Sequence, residues 1–216
     1  MKGVLIFSLV SCYALTVNAQ VQVGFFVGPN ASTAHYSVNG TKQNTNYKIG
    51  FHAGGMVEIP FDKGLLFTPS LSYNLMGYKV DFNNPSYPPD LLAKDNNTSY
   101  HEMDLDMLLQ FDLGKKPDHF FLKLGPSLSL ILAGREKFNL LTGEQVNRSM
   151  TFSVLNSYGR YDAAAVIQFG FESSKGFFVS AEYKQHLISM NNEDQGPSIR
   201  NQLIGVTFGK FLKTKK

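Results

Sequence analysis

The sequence predicts an all-β protein, an eight-stranded antiparallel up-and-down transmembrane β-barrel. Three observations predict it: residues alternate between apolar and polar, long and tight connections follow one another, and the apolar face is the bulkier one. The chain has 216 residues, with 19 Gly, 18 Phe and 10 Tyr, a composition that favours strands. Its formal net charge is only +3. We therefore expect no nucleic acid among its partners.

Residues 1–19 are predicted to be a cleaved signal peptide. Lys2 supplies a positive charge, an apolar stretch follows, and Val17-Asn18-Ala19 places small residues before the cleavage site. The mature barrel domain then spans residues 20–216. An alternative interpretation takes Leu9-Val10-Ser11-Cys12 as a lipoprotein box in which Cys12 is acylated, although the apolar stretch before it is short for an export signal.

Four segments alternate most clearly and are predicted as strands: 101–113, 119–133, 161–172 and 177–188. In the second of these, every even position is apolar and the odd positions are mostly small or polar. Helical spacing would scatter both sets around a cylinder, so period two favours strands. Four weaker segments complete the set: 20–31, 46–60, 65–81 and 198–212.

The connections between these segments alternate in length. Tight turns are predicted at 62–64, 114–118 and 173–176, and a connection of medium length at 190–197. In an up-and-down barrel every second connection emerges at the same end, so one end carries the long loops. The long loops, which we expect outside the cell, are 32–45, 82–97 and 134–156.

The apolar face of the strands is predicted to point outward, toward lipid. Its side chains are bulky, whereas the opposite face is rich in Gly, Ser and Ala. Small residues belong in the interior, because eight strands enclose a space just wide enough for side chains. Pro69 and Pro126 fall inside strands, and we expect a β-bulge at each because proline donates no ladder hydrogen bond.

The first and last strands, together with the export signal, resemble a known group. The strands Val23-Gly24-Phe25-Phe26-Val27-Gly28 and Leu203-Ile204-Gly205-Val206-Thr207-Phe208-Gly209 are similar to those of the PorT-like outer-membrane β-barrel proteins of the Bacteroidota. The resemblance covers the whole mature chain as a pattern. It implies a small barrel of the OmpX/OmpA-like type in the bacterial outer membrane, surrounded by outer-membrane lipid and placed there by the barrel-insertion machinery.

The inward-facing positions are predicted to form a network of charged side chains that fills the lumen. Acidic and basic groups are nearly balanced there, and buried carboxylates are costly without partners. A cation site at Glu102, Asp104 and Asp106 is disfavoured, because alternate strand positions lie ~6.8 Å apart. We expect no metal and no cofactor. The predicted network consists of Glu102, Asp104, Asp106, Lys123, Arg160, Asp162, Glu182 and Lys184.

We expect a monomeric envelope protein without enzymatic activity, which is structural or binds an extracellular or envelope protein partner through the three long loops. The first alternative is a narrow cation-preferring channel. The second is a lipid-modifying enzyme that uses Ser189 and His186, although no nucleophile motif surrounds them. The third is a soluble exported barrel that binds an apolar ligand.

Overall fold

The computed structural model describes residues 21–83, 90, 92–114, 117–152, 158–193 and 196–212. The predicted signal peptide, Cys12 and residues 213–216 lie outside the described residues. Within the described part of the chain, no helix is long and apolar enough to cross a membrane. The described strands are β1 (Gln22–Val38), β2 (Thr41–Lys42), β3 (Asn44–Asn46), β4 (Lys48–Asp62), β5 (Leu65–Asp81), β6 (Asp95–Leu113), β7 (His119–Asn139), β8 (Gln145–Ser149), β9 (Tyr161–Glu172), β10 (Phe177–His186) and β11 (Ser198–Leu212).

The longer strands pair into a closed antiparallel ring. Around the ring they are β1, β4, β5, β6, β7, β9, β10 and β11, and β11 returns to pair with β1. This closure gives the first and last strands partners on both sides, which satisfies backbone groups that an open sheet would leave exposed. The predicted all-β antiparallel architecture is confirmed.

Three short strands lie in segments that were predicted as loops. β2 pairs with β1, β3 with β5, and β8 with β7. Three ring strands also run past their predicted limits, with β1 ending at Val38, β6 starting at Asp95 and β7 ending at Asn139. The predicted long loops are therefore partly sheet, because cross-strand pairing continues wherever a neighbouring strand is available.

The bulky apolar face of the ring points outward. Leu124 and Leu128 on β7 are 41% and 50% exposed, whereas Asp104 on β6 and Lys184 on β10 are 0% and 1% exposed. The predicted direction of the two faces is confirmed. Exposed large apolar side chains occur on each ring strand, among them Phe25, Phe51, Leu71, Leu105, Phe169, Val179 and Phe208.

The strands keep a regular register at Pro69 and Pro126, the two positions at which a β-bulge was predicted. Pro69 stays paired with Met107, and Pro126 with Ala165, while the ladder on the other side of each proline lacks pairs. The predicted bulges are wrong, because a missing donor interrupts one ladder without adding a residue to the strand. One register shift lies instead between Pro60 and Asp62.

A second register shift lies between β6 and β7. Glu102 pairs with Ile131 and His101 with Ala133, so Leu132 is the extra residue of a bulge. Beyond this point the inward positions of β7 change parity, and Glu136 and Phe138 are buried. The bulge therefore lets β7 continue as part of the loop end while keeping apolar side chains toward the interior.

The interior is layered along the axis of the ring. We call the end with the long connections the loop end and the end with the tight turns the turn end. The loop end is filled by an apolar and aromatic cluster that includes Tyr36, Tyr78 and Tyr100, and the turn end by a smaller cluster around Phe121 and Phe178. The buried ion pairs of Lys184 with Asp104 and Asp106 lie between these clusters. The interior is thus less uniformly polar than predicted.

Candidate functional site

A lysine and two aspartates close the middle of the lumen. Asp104 and Asp106 point inward from β6, and Lys184 reaches them from β10, with β7 and β9 between these strands. The Lys184 ammonium pairs with Asp104 and lies 3.1 Å from Oδ1 of Asp106. Lys184 carries one positive charge against two carboxylates, so neutral donors stabilise the remaining negative charge. Asn74 donates a hydrogen bond to Asp104 and Ser70 donates one to Asp106, each over 3.0 Å.

A histidine joins two further acids of the predicted network. Nδ1 of His186 lies 2.9 Å from Oδ2 of Asp162, and its Nε2 lies 3.9 Å from Oε1 of Glu102. The other oxygen of Asp162 accepts hydrogen bonds from the backbone amides of Ala163 and Ile188. The histidine therefore hydrogen-bonds to Asp162 and lies between this carboxylate and that of Glu102. His186 is not among the eight residues of the predicted network.

Lys123 lies apart from the Lys184 group, nearer the turn end. Its ammonium is 4.0 Å from Oε1 of Glu58 and stands over the rings of Phe121 and Phe178, at 4.9 and 5.6 Å from their centres. Cation–π attraction adds to the ion pair in such surroundings. The Glu58 partner is 2% exposed, so this pair is buried although Glu58 lies close to a tight turn.

Two members of the predicted network have other partners. Glu182 accepts a hydrogen bond from Nε2 of Gln168. Arg160 lies outside the interior: its guanidinium donates to the backbone oxygens of Ile131 and Leu132, both at 3.2 Å, and stands over the ring of Phe152. It therefore caps carbonyl groups at the β7 bulge and does not balance charge in the lumen, which differs from the prediction.

The space left beside the buried charged side chains is very small. A cavity of about 10 Å³ lies beside Asp106, Lys123 and Glu182. A volume of this size holds about one water molecule. Side chains therefore fill most of the interior at this level.

Tyrosines close the loop end of the lumen. Tyr36, Tyr78 and Tyr100 are fully buried, and Tyr158, from the connection between β8 and β9, packs against the same cluster. Burial, reinforced by Tyr78 and Glu136, raises the pKa of the Tyr158 phenol well above its ordinary value. This phenol therefore stays neutral at physiological pH and adds an uncharged side chain to the cluster that closes the loop end.

The serine and histidine considered for lipid chemistry are not brought together. Oγ of Ser189 accepts hydrogen bonds from the backbone amides of Asn191 and Ile199, at 3.3 and 3.0 Å. The ring of His186 faces Asp162 and Glu102 instead. Ser189 thus shapes the connection between β10 and β11.

A model of the outer membrane protein beta-barrel domain matches residues 17–192. The chain belongs to this family. It is therefore an outer-membrane β-barrel protein located in the bacterial outer membrane. A search among curated proteins finds no significant match.

Solved structures of small outer-membrane barrels are similar to the chain. Ail, the attachment invasion locus protein of Yersinia pestis, is 12% identical with a TM-score of 0.43, over 88% of this chain and 99% of that one. Neisserial surface protein A is 13% identical with a TM-score of 0.41, over 86% and 96%. The N-terminal barrel domain of Pseudomonas aeruginosa OprF is 13% identical with a TM-score of 0.31, over 88% and 99%.

Proposed function

We propose that the protein is an integral eight-stranded barrel, a PorT-like member of its family, that conducts no solute and acts at the cell surface through its loop end. It serves there as a structural element or as a binding platform for an extracellular or envelope protein. The observation that carries this proposal is a double closure of the lumen. The tyrosine cluster closes the loop end, and the Lys184–Asp104–Asp106 group closes the middle.

The double closure argues against the narrow cation-preferring channel. A permeating ion needs polar groups that replace its hydration shell in turn along a continuous path. Here the carboxylates of Asp104 and Asp106 are already bound to Lys184, Asn74 and Ser70. Apolar and aromatic side chains fill the ring both above and below them.

The surface at the loop end is rigid enough to serve as a binding platform. β2, β3 and β8 extend the sheet beyond the ring, so the surface there is held by backbone pairing. Binding residues commonly stand on such rigid supports. β8 pairs along one side with β7, from Arg135–Ser149 to Asn139–Gln145. Its short, polar sequence suits contact with a partner protein.

Conductance of the purified protein in planar bilayers tests the closed lumen. We expect no stepwise current from the wild type, because an ion would have to displace Lys184 and pass Tyr36, Tyr78 and Tyr100. The matched comparison is K184A/Y78A/Y100A, checked for folding by heat-modifiable gel mobility, which should pass current. Reproducible cation-selective steps from the wild type would instead establish the channel.

Epitope insertion on intact cells tests the orientation. An epitope placed at Gly143, in the turn between β7 and β8, should bind antibody without permeabilisation. The same epitope at Gly64, in the tight turn between β4 and β5, should bind only after the outer membrane is opened. Both glycines have positive φ, 89° and 76°, in exposed turns, so the two insertions are matched. The reverse pattern of labelling would refute the proposal.

A further inference from the structure

The outer wall of the barrel carries a basic groove near the loop end. The groove has a volume of about 420 Å³ and is lined by side chains of β4, β6, β7 and β8. A second hollow of about 260 Å³ adjoins it, with Lys137 in both linings and Lys79 in the second. The lining residues that matter here are Lys48, Asn97, Ser99, His101, Arg135 and Lys137.

The strand register fixes the height of this groove on the wall. Across β5, β6 and β7 the outward residues lie in rows, because paired residues stand side by side. The highest row is Lys79, Asn97 and Lys137, and the row below it is Gly77, Ser99 and Arg135. Toward the turn end the rows become apolar, with Tyr73, Met103 and Leu130, and then Leu71, Leu105 and Leu128.

The height of the apolar rows along the barrel axis matches the thickness of the apolar part of a membrane. On β6 the outward apolar residues run from Met103 to Leu113. At ~3.4 Å per residue and a tilt of ~40°, these ten steps span roughly 26 Å, close to the ~25 Å apolar band of outer-membrane barrels. By the same measure Ser99 and Asn97 stand roughly 10–16 Å above Met103. This is the height of the lipid headgroups.

A tyrosine–histidine pair marks the boundary between the two regions. The hydroxyl of Tyr73 lies 2.5 Å from Nδ1 of His101, and both side chains are on the outer wall. Tyrosine prefers the membrane interface, because its ring is apolar and its hydroxyl is polar. The groove begins at His101 and continues toward the loop end.

The basic groups of the groove have neutral neighbours. Lys48 donates to Oδ1 of Asn97 and Oγ of Ser99, at 2.6 and 2.5 Å, and its side chain passes over Gly77, where a Cβ would lie 2.9 Å from Lys48 Cδ. Among the described residues, no ion pair forms with Lys48, Lys79, Arg135 or Lys137.

Two carboxylates border the second hollow, and among the described residues neither forms an ion pair with the basic groups of the groove. Asp95 accepts hydrogen bonds from the backbone amide and Nδ2 of Asn139, at 2.9 and 2.7 Å. Asp81 ends β5 at the far side of the hollow from the groove and pairs with Asp95 across the strands. The groove therefore concentrates positive charge at one height above an apolar wall.

We propose that this groove binds the phosphorylated headgroup of lipid A in the outer leaflet. Its phosphate lies against Arg135 and Lys137, with Lys48 and Lys79 flanking it, and Asn97 and Ser99 supply hydrogen bonds. The acyl chains lie on the wall formed by Leu71, Leu105 and Leu128. A lipid phosphate fits better than a free anion, because the apolar wall continues directly below the charged rows. The site requires the loop end to face the cell exterior, as the proposed function states.

Native mass spectrometry of the purified protein in detergent tests the site, with diphosphorylated lipid A as the probe. We expect wild-type protein to retain bound lipid A and R135Q/K137Q to bind it about tenfold more weakly. The matched control is K63Q/K175Q, which removes the same charge from exposed lysines at the tight turns. It should bind lipid A as the wild type does.

Two further arms identify the ligand. Lipid A stripped of its phosphates should bind the wild type about tenfold more weakly than intact lipid A does, a comparison that needs no variant to fold. Inorganic phosphate in large excess should leave lipid A bound. Equal lipid A affinity of R135Q/K137Q and wild type, equal weakening in K63Q/K175Q, or full displacement by inorganic phosphate would each overturn the proposal. The bilayer conductance is independent of all three outcomes.

Discussion

Lys184 on β10 and Asp104 on β6 form an ion pair across the interior of the ring. Both side chains are almost fully buried, and Asp106 shares the same ammonium. A buried pair of this kind adds little net stability compared with apolar packing, but removal of one partner leaves a charge without compensation. The contact therefore links distant strands and makes the filled lumen sensitive to single substitutions.

Substitution of this lysine should destabilise the barrel strongly. K184M keeps much of the side-chain volume and leaves two carboxylates without their cation, so we expect a loss of about 3–5 kcal/mol in the free energy of unfolding. Urea unfolding in lipid vesicles measures it. K175M, in an exposed tight turn, should change stability by less than about 0.5 kcal/mol. Similar values for both variants would show that Lys184 is not held as described.

A charge on the apolar wall should be costly in a way that depends on its height. Leu124 pairs with Leu109 near the middle of the apolar rows, so L124K should cost about 2–4 kcal/mol in vesicles. N147K, on β8 beside Lys137, lies above these rows and should cost less than about 1 kcal/mol. If L124K folded as stably as N147K, the wall at Leu124 would not face lipid.

Glycine at position 28 is required for closure of the ring. A Cβ at Gly28 would lie 1.8 Å from the backbone oxygen of Val206 on β11, so a side chain there must push β1 and β11 apart. We expect G28A to lower the free energy of unfolding by roughly 1–3 kcal/mol. Its band on a gel should shift to the unfolded position at a lower temperature than that of the wild type. G55A is the matched control, because the nearest atom to its Cβ is 3.7 Å away. Equal behaviour of the two variants would contradict the close approach.

Arg160 should matter to the bulge in β7 rather than to the lumen. R160Q removes the charged donor from the carbonyls of Ile131 and Leu132, and because the side chain is exposed we expect a loss of only about 0.5–1 kcal/mol. Hydrogen exchange of the Leu132 region should increase in this variant, while the Lys184 region stays protected. Increased exchange around Lys184 would instead place Arg160 in the charged network.

Two tight turns are joined by a hydrogen bond that depends on pH. The backbone amide of Ser174 donates to Asp118 over 2.7 Å, and this bond lowers the pKa of the Asp118 carboxyl below its ordinary value. A depressed carboxyl pKa stabilises the folded state above the pKa of the unfolded chain, and this contribution is lost as the pH falls through the folded pKa.

The variant D118N shows this dependence. It should unfold at a slightly lower temperature than wild type at pH 7, and the difference should disappear in strong acid. The effect is small because Asp118 is exposed to solvent. S174A keeps the backbone donor but removes the Ser174 hydroxyl, which also lowers the pKa of Asp118, so its difference from wild type should be smaller than that of D118N and should disappear in acid as well. A difference between D118N and wild type that persists in strong acid would exclude this bond as its cause.

Much of the candidate site could be predicted from parity alone. The inward placement of Asp104, Asp106 and Lys184 follows from alternation, since residues two apart share a face. Parity cannot show which charges meet, because the partner of Lys184 depends on the relative register of β6 and β10 across two intervening strands. For the same reason, parity cannot show that His186 hydrogen-bonds to Asp162 beside Glu102.

The amino-acid sequence by itself determined the strands, their outward face and the tight turns, because each follows from short-range patterns: alternation, side-chain volume and turn residues. Only the tertiary structure decided the bulge at Leu132, the position of Arg160 beside it, the sheet at the loop end and the basic groove on the outer wall. These features arise where distant strands are brought into register. That register is set by closure of the ring as a whole, which no local pattern contains.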